Sequence, residues 1–490
     1  MSQHFKFPMC RTLVAGACAL ACFGAEAATI VITSRDVGPI GFNDPTAVTP
    51  VGGNPGMTLG EQRYNVYRHV ANLWEAAIQS NVTIHVSAGW EALTCTANSA
   101  VLGSAGAWNI WHDVPGGKPG TWYPQALANK LSGMNLSDGA PSDGTDYSAV
   151  DIKTQFNINL GNADCLTGSS FYLGLDGNTG GKINFVITLL HELGHGLGFS
   201  VLSVQTSTGL RINAEGTAYT EDGLPSVWEA FMYDSVIGKT WLAMTSLERK
   251  ASAVSPGKLT WAGANAVAGA AITLGGTPSL KVTTPAPGYS GFYDYATAGF
   301  GPLLSSGTPL GTLARVSTNG CAAFGPTDAA AINGKVAIID RGACTFVIKV
   351  KNAQNVGAVG VLIADNVDAG LSGLGGSDAS ITIPAARITK TSGDKLKLGI
   401  ADAVKYGSRT KPGSVSAAAV VDNTRLAGAD SAKRPLLYTP GTLEPGSSVS
   451  HWDTSAFPNL LMEPAISSDL TTLLVPPKDL TMPLFKDLGW

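Results

Sequence analysis

Two histidines four residues apart, with a glutamate beside the first, sit in the stretch LLHELGHGLGF, residues 189–199. Positions i and i+4 share one face of an α-helix, so His191 and His195 can point two imidazoles at one metal ion. Zinc held there would acidify a neighbouring water, and Glu192 stands where a carboxylate can take its proton. That is equipment for attack on a peptide carbonyl. A core helix whose histidines merely pack is the plainer alternative, and Leu189, Leu190, Leu193 and Leu197 suit it. The glycines do not. Gly194, Gly196 and Gly198 each weaken a helix by about 1 kcal/mol relative to alanine. Close backbone approach and a left-handed exit at Gly198 would require them.

A catalytic zinc takes three protein ligands and keeps one position open. Many proteases with this pattern carry another histidine or aspartate three residues after the glycine, but here that residue is Val201. Two places can supply the ligand. Glu215 lies twenty residues past His195, a spacing that resembles the thermolysin-like proteases, where a second helix delivers a glutamate. The surrounding LRINAEGTAYTEDG has two glycines and no helical apolar stripe, so it makes a poor ligand helix. His451, in a Ser-His-Trp segment followed eleven residues later by Met462, is the stronger choice.

Piece by piece this arrangement resembles the leishmanolysin family of metzincin zinc proteases. His191, Glu192, His195 and Gly198 match its His-Glu-x-x-His-x-x-Gly, and SHW at 450–452 matches the segment of its third histidine. LLMEP, containing Met462, matches its methionine turn, and LTMPLFKDLGW matches the segment after it. The likeness covers roughly 28–270 and 425–490. It implies a zincin-like (metzincin) domain with one catalytic Zn²⁺ on His191, His195 and His451. Glu192 is then general base and acid, and Met462 forms a floor without ligating. Asp453 and Glu463 are expected to support the site or to be solvated. Better-known members block their zinc with a propeptide cysteine; a strand expected at 29–33 leaves no room for that segment here.

The long gap before the third histidine has its own pattern. GKVAIID (334–340) reads as a buried strand, residues 344–357 as an amphipathic helix stopped by Gly357, and AVGVLIAD (358–365) as a second strand. That is a βαβ unit. SITIPAARI (380–388) adds a strand interrupted by Pro384. Together with Gly320-Cys321 and the Asp340-Arg341-Gly342 turn before Cys344, these residues resemble the protease-associated domain. The resemblance implies a non-catalytic unit, either a spacer or a guide for substrate or partner.

The elements around the motif are legible too. Thr58 and Glu61 form a capping box, followed by Val66, Val70, Leu73, Trp74, Ala77 and Ile78 at helical spacing. Residues 82–88 alternate like a half-buried strand, with His85 in a structural place. A short helix is expected at 124–131, a strand at 151–160, and Asn184 as the cap of the histidine helix. Helical pieces are expected at 226–233 and 246–253, and a terminal helix near 480–490. The expected fold class is α+β: a metzincin-like catalytic domain interrupted by a β-rich α/β protease-associated domain. The division is 1–27 signal peptide, 28–277 catalytic first part, 278–420 insertion, and 421–490 catalytic last part.

At 490 residues the chain exceeds one compact core. A net charge of −4 without like-charge blocks gives no footprint for nucleic acid. Lys6 and Arg11, the apolar run 13–24 and Ala25-Glu26-Ala27 read as a secretion signal cleaved after Ala27. A lipid-modified Cys18 or Cys22 and an uncleaved anchor are the alternatives. No later stretch is long and apolar enough to span a membrane. Cleavage leaves Cys95, Cys165, Cys321 and Cys344 of the seven cysteines. An even number in an exported chain suggests two disulfides. Three pairings are open, and proximity favours Cys95–Cys165 with Cys321–Cys344. Extracellular, periplasmic and cell-surface locations all fit. Calcium has room in the Asp/Asn/Gly loops without an assigned site. The expected activity is zinc-dependent endoproteolysis of protein or peptide substrates. The competing class is a non-catalytic binding protein that uses the inserted domain and keeps a structural zinc.

Overall fold

The structure, a computed structural model, describes residues 27–137, 150–368, 371, 373–407, 413–467 and 469–490. The expected signal peptide, apart from Ala27, lies outside the described residues. Along the chain come β1 (Ile30–Ser34), α1 (Leu59–Ala77), β2 (Ile84–Glu91), β3 (Gly103–Ala107), α2 (Gln125–Ser132), β4 (Ile152–Asn157) and α3 (Phe185–Leu197). The strands form one sheet in the order β1-β2-β4-β3. The first three run parallel, and β3 lies antiparallel at the edge.

Helix α1 begins where the capping box places it: Thr58 Oγ1 accepts the Glu61 N–H and the Glu61 carboxylate accepts the Thr58 N–H. Its stripe of Val66, Val70 and Trp74 is buried against the core. Helix α3 is buried along its whole length, which explains why it is apolar all round apart from the motif. Asn184 caps it by accepting the Ile187 N–H at 3.2 Å. Its three glycines face neighbours too close for a side chain. A Cβ at Gly194 would lie 2.8 Å from Met462 Sδ, and one at Gly196 would run into Ile152 of β4. Gly198 has φ 120° and faces Pro124. There the Gly198 N–H returns to the His195 carbonyl and the Phe199 N–H to the Gly194 carbonyl, both at 3.0 Å. This paired closure ends the helix in one step.

Past α3 lie the helices α4 (Ser246–Ser252) and α5 (Ala264–Thr273), with strand Leu259–Trp261 between them. The expected helix at 226–233 is instead a single 3₁₀ turn, Trp228–Ala230, followed by strand Met232–Asp234. The reason is tertiary. Met232–Asp234 is the middle strand of a small sheet, paired on one side with Lys239–Thr240 and on the other with Leu259–Trp261. Glu229, in the turn, is fully buried and committed to Arg211, Ser203 and the Ser226 N–H.

The inserted segment builds an eight-stranded sheet. Its elements are β5 (Gly276–Thr283), β6 (Gly291–Asp294), β7 (Ala296–Thr297), β8 (Pro309–Arg315), β9 (Val336–Asp340), α6 (Phe346–Asn355), β10 (Gly360–Ala364), β11 (Ala385–Ile388), α7 (Lys390–Ala403) and β12 (Ser416–Leu426). The order is β6-β5-β12-β8-β9-β10-β11-β7, with β8 to β11 parallel. Successive residues of β9 feed two apolar layers. Val336 and Ile338 join one, Ala337 and Ile339 the other, as the two-residue period of a strand dictates. The strand expected at 380–388 starts only at Ala385. Pro384 has no N–H to give a ladder, although its carbonyl still accepts the Val361 N–H at 3.0 Å. The expected break between 420 and 421 falls inside β12, which runs on to Leu426.

Entry and exit of this segment are adjacent, because β5 and β12 are antiparallel neighbours. The Ala427 N–H bonds the Gly275 carbonyl at 2.9 Å, and the Gly275 N–H bonds the Phe457 carbonyl at 2.7 Å. The returning chain adds to what preceded it: Trp261 N–H donates to Pro435 and Leu437 N–H to Leu259. Helix α8 (Thr481–Leu488) closes the core, with Phe485 stacked on Trp74 at 5.4 Å. Among the described residues no helix is long and apolar enough to cross a membrane.

Gly198→Ala should lower the unfolding free energy by about 1–3 kcal/mol, from the positive φ and the crowding at Pro124. Urea unfolding checks this: the midpoint should fall with the slope unchanged.

Candidate metal centre

Helix α3 carries His191 and His195 one turn apart. A separate loop, tied to strand Leu259–Trp261 through residues 435–438, carries His451: its carbonyl accepts the Tyr438 N–H at 2.9 Å. The three side chains meet. His195 Nε2 lies 3.0 Å from His191 Nε2 and 3.1 Å from His451 Nε2, across 256 residues of chain in the second case. All three are buried.

The outer nitrogens settle the tautomers. Nδ1 of His191 donates to the Leu461 carbonyl at 2.7 Å, Nδ1 of His195 to the Phe199 carbonyl at 2.7 Å, and Nδ1 of His451 to the Ser447 carbonyl at 2.9 Å. A carbonyl can only accept, and a neutral imidazole has one N–H. Each Nε2 therefore carries a lone pair, and three lone pairs face one another. Extra protons do not relieve this. Burial holds His191 down at about 4 and His451 at about 3, and holds His195 well below its usual value. A cation among the nitrogens does relieve it. Three imidazole donors suit zinc or a similar divalent transition ion. Among the described residues this is the one group of three or more such side chains close enough to hold a metal.

Glu192 is buried beside the pair, on α3 where it faces the edge strand. Burial pushes its carboxyl up to about 8, while the Ala105 N–H of β3 pulls the other way. A cation nearby would favour the ionised form. Since β3 has β4 on its other side, the Ala105 amide that reaches Glu192 lies on the open edge of the sheet.

Met462 is fully buried under the helix, and its closeness to Gly194 fixes the distance between turn and helix. Its carbonyl accepts the Trp452 N–H at 2.8 Å, which joins the turn to the residue after His451. Ser450 Oγ accepts the Val201 N–H at 3.2 Å, so the chain leaving α3 is pinned to the third histidine's segment. Glu215 lies elsewhere, exposed in a turn. His85 sits in β2, paired with Val31.

Three supporting features escaped the sequence. Asp479 Oδ1 accepts the Leu461 N–H at 2.8 Å and its Oδ2 the Thr481 N–H at 2.7 Å. It thus holds, through its N–H, the residue whose carbonyl orients His191. In sequence it looks like any helix-capping aspartate. The carbonyls of Phe199 and Ser447 leave no trace in residue type at all. Asp453 and Glu463, expected to be supporting or solvated, are half-buried and buried respectively, and desolvation raises both carboxyls. The chain forms disulfides Cys95–Cys165 and Cys321–Cys344, the pairs favoured by proximity.

Comparison with known proteins bears on the insertion. The PA domain family matches residues 309–396, so the chain carries a PA domain. Vacuolar-sorting receptor 3 of Arabidopsis thaliana is 36% identical over 138 residues, which is 25% of this chain and 22% of that protein. The probable lipoprotein aminopeptidase LpqL of Mycobacterium tuberculosis is 37% identical over 67 residues, 14% of this chain and 13% of that protein. The chain thus spans less than a quarter of the length of these relatives. Among solved structures, an aminopeptidase from Aneurinibacillus sp. strain AM-1 superposes with a TM-score of 0.20 at 22% identity, over 40% of this chain and 42% of that one. An overlap that slight carries no argument about the rest of the fold.

The buried acids behind the methionine turn set a pH dependence. Burial, then the charges of Asp453, Asp469 and Asp479, push Glu463 up to about 8 from 4.5, against the N–H of Leu460. Folding therefore takes up a proton on Glu463 between those values. Its stabilising share is complete below the lower one and is lost as pH rises through the upper one. Glu463→Gln should flatten the fall in melting temperature between about pH 5 and pH 8.5 relative to the unaltered chain. Thermal unfolding across that range checks it; parallel curves would remove Glu463 from the account.

Proposed function

We propose that this chain is a secreted zinc-dependent metalloendopeptidase. Its metzincin-like catalytic part is built from segments before and after the inserted PA domain. The observation that carries the reading is the convergence of the His191, His195 and His451 Nε2 atoms from two distant segments. These three would hold one Zn²⁺. When bound, the ion supplies Lewis acidity, polarising a carbonyl and acidifying a nearby water. Glu192 takes the proton of the attacking water on a carboxylate oxygen and passes it to the leaving amine nitrogen. The Ala105 N–H orients that carboxylate. The open edge of β3 offers backbone groups to an extended peptide, which suits cleavage within a chain. Met462 sets the depth of the site and stays out of the ligand set. Two disulfides favour an oxidising, extracytoplasmic compartment. The PA domain serves as spacer or guide and contributes no residue to the three-histidine group.

A second reading has one observation in its favour. A relative matched over 25% of the chain is called a vacuolar-sorting receptor, so a binding protein with a structural metal is the competing class. Structural zinc sites are closed by four protein ligands. Here the group has three members among the described residues, and the buried Glu192 adjoins His191 on α3, which favours catalysis.

Two variants decide. Glu192→Gln should keep about one zinc per chain while cleavage of casein falls by roughly 10²–10⁴-fold. His451→Ala should lose the metal itself, read by elemental analysis after dialysis. Full activity in Glu192→Gln would overturn the proton-transfer role. An unaltered chain that holds zinc yet cleaves nothing would favour the binding protein.

A further inference from the structure

The two disulfides of this chain stand in different electrostatic surroundings. Cys95–Cys165 has one fully buried member, Cys165, which is 2% exposed and has Asn157 Nδ2 at 3.5 Å as its polar neighbour. Cys321–Cys344 lies in the PA domain with both members half-buried. It joins the loop after β8 to the turn between β9 and α6. Lys349, on the first turns of α6, is fully buried. Its Nζ lies 3.4 Å from Cys321 Sγ, and its other polar partner is the Asn319 carbonyl. Lys349 makes no ion pair among the described residues; Asp340, whose field reaches it, is paired with Lys397. A buried ammonium that makes no ion pair of its own is costly and gains from an anion formed beside it.

We infer that Cys321–Cys344 is a thiol-exchange site, in which Lys349 makes Cys321 the leaving thiolate for an incoming dithiol. The dithiol attacks as a thiolate and bonds to Cys344 Sγ. The Cys321–Cys344 bond breaks, and its electron pair leaves on Cys321 Sγ beside the Lys349 ammonium. The dithiol's second sulfur then displaces Cys344, which leaves with a proton as a thiol. The dithiol is oxidised to its disulfide, the protein cystine is reduced, and one proton is released overall. A thiol of lower pKa leaves faster, and a neighbouring lysine lowers that pKa. Attack falls on Cys344 because the ammonium that stabilises a leaving thiolate stands beside Cys321. This site is independent of the zinc reading and stands or falls without it.

The test treats the full chain with excess dithiothreitol under native conditions, alkylates at intervals, and reads each cystine by peptide mass. Cys321–Cys344 should open first, with Cys95–Cys165 as the internal reference. Lys349→Met keeps the buried stem without the charge and should slow opening of Cys321–Cys344 by about tenfold or more, leaving Cys95–Cys165 unchanged. An unchanged rate at Cys321–Cys344, or earlier opening of Cys95–Cys165, overturns the inference. Should the methionine variant not fold, the unaltered reduced chain decides. The pH profile of Cys321 alkylation by iodoacetamide should have its midpoint below the ordinary thiol value of about 8.5. A midpoint at or above that value overturns the inference as well.

Discussion

Three imidazole lone pairs aimed at one point repel one another, and the fold nonetheless holds them there. The carbonyls of Leu461, Phe199 and Ser447 each take an Nδ1 proton, which denies every ring the option of turning its N–H inward. Those carbonyls are themselves fixed. Phe199 belongs to the closure that ends α3 at Gly198. Leu461 is held at its N–H by Asp479, and the Trp452–Met462 bond ties the methionine turn to the third histidine's loop. The arrangement is preorganised for a cation: the energetic demand is created by backbone geometry before any ion arrives.

That demand explains the glycine pattern better than helix chemistry does. Two glycines in the thirteen residues of α3 would each weaken an isolated helix, and a third stands at its exit. In the folded chain they admit Met462, β4 and Pro124 to the helix backbone. The helix is therefore stable only in company, and the same contacts that rescue it set the position of its two histidines. Local cost and global gain fall on the same residues, which is a common mark of a functional element.

How much of this was legible depended on where the information resides. Capping boxes, the fully apolar histidine helix and the βαβ unit of the insertion are local patterns, and the structure shows them at Thr58–Glu61, α3 and β9-α6-β10. The joining of His451 to the helix was carried by motif resemblance, since no periodicity reaches across 256 positions. Backbone carbonyls and Asp479 had no distinctive residue type to betray them. The segment at 226–233 misled because its apolar spacing suits a helix, whereas Leu259–Trp261 offered it a strand partner. A tertiary ladder outweighed a local preference that is worth only tenths of a kcal/mol per residue, about 0.7 at most for ordinary residues.

The insertion looks like an obstacle to assembling a site from two ends of a chain, and its topology shows why it is not. Closing a flexible loop costs more as the loop lengthens, but only logarithmically. A segment that folds on its own changes the relevant length altogether. Here β5 and β12 pair side by side, so the chain leaves and returns at neighbouring points. Gly275 bonds both Ala427 and Phe457 across that neck. As far as the three-histidine unit is concerned, the detour behaves as a short hairpin. The strand Leu259–Trp261 before it can then bind Pro435–Leu437 after it, and the His451 carbonyl in turn accepts the Tyr438 N–H. The neck, more than the length of the excursion, controls whether the third imidazole reaches its companions. Backbone hydrogen bonds at Gly275 thus join the strand that enters the insertion to the chain that returns from it.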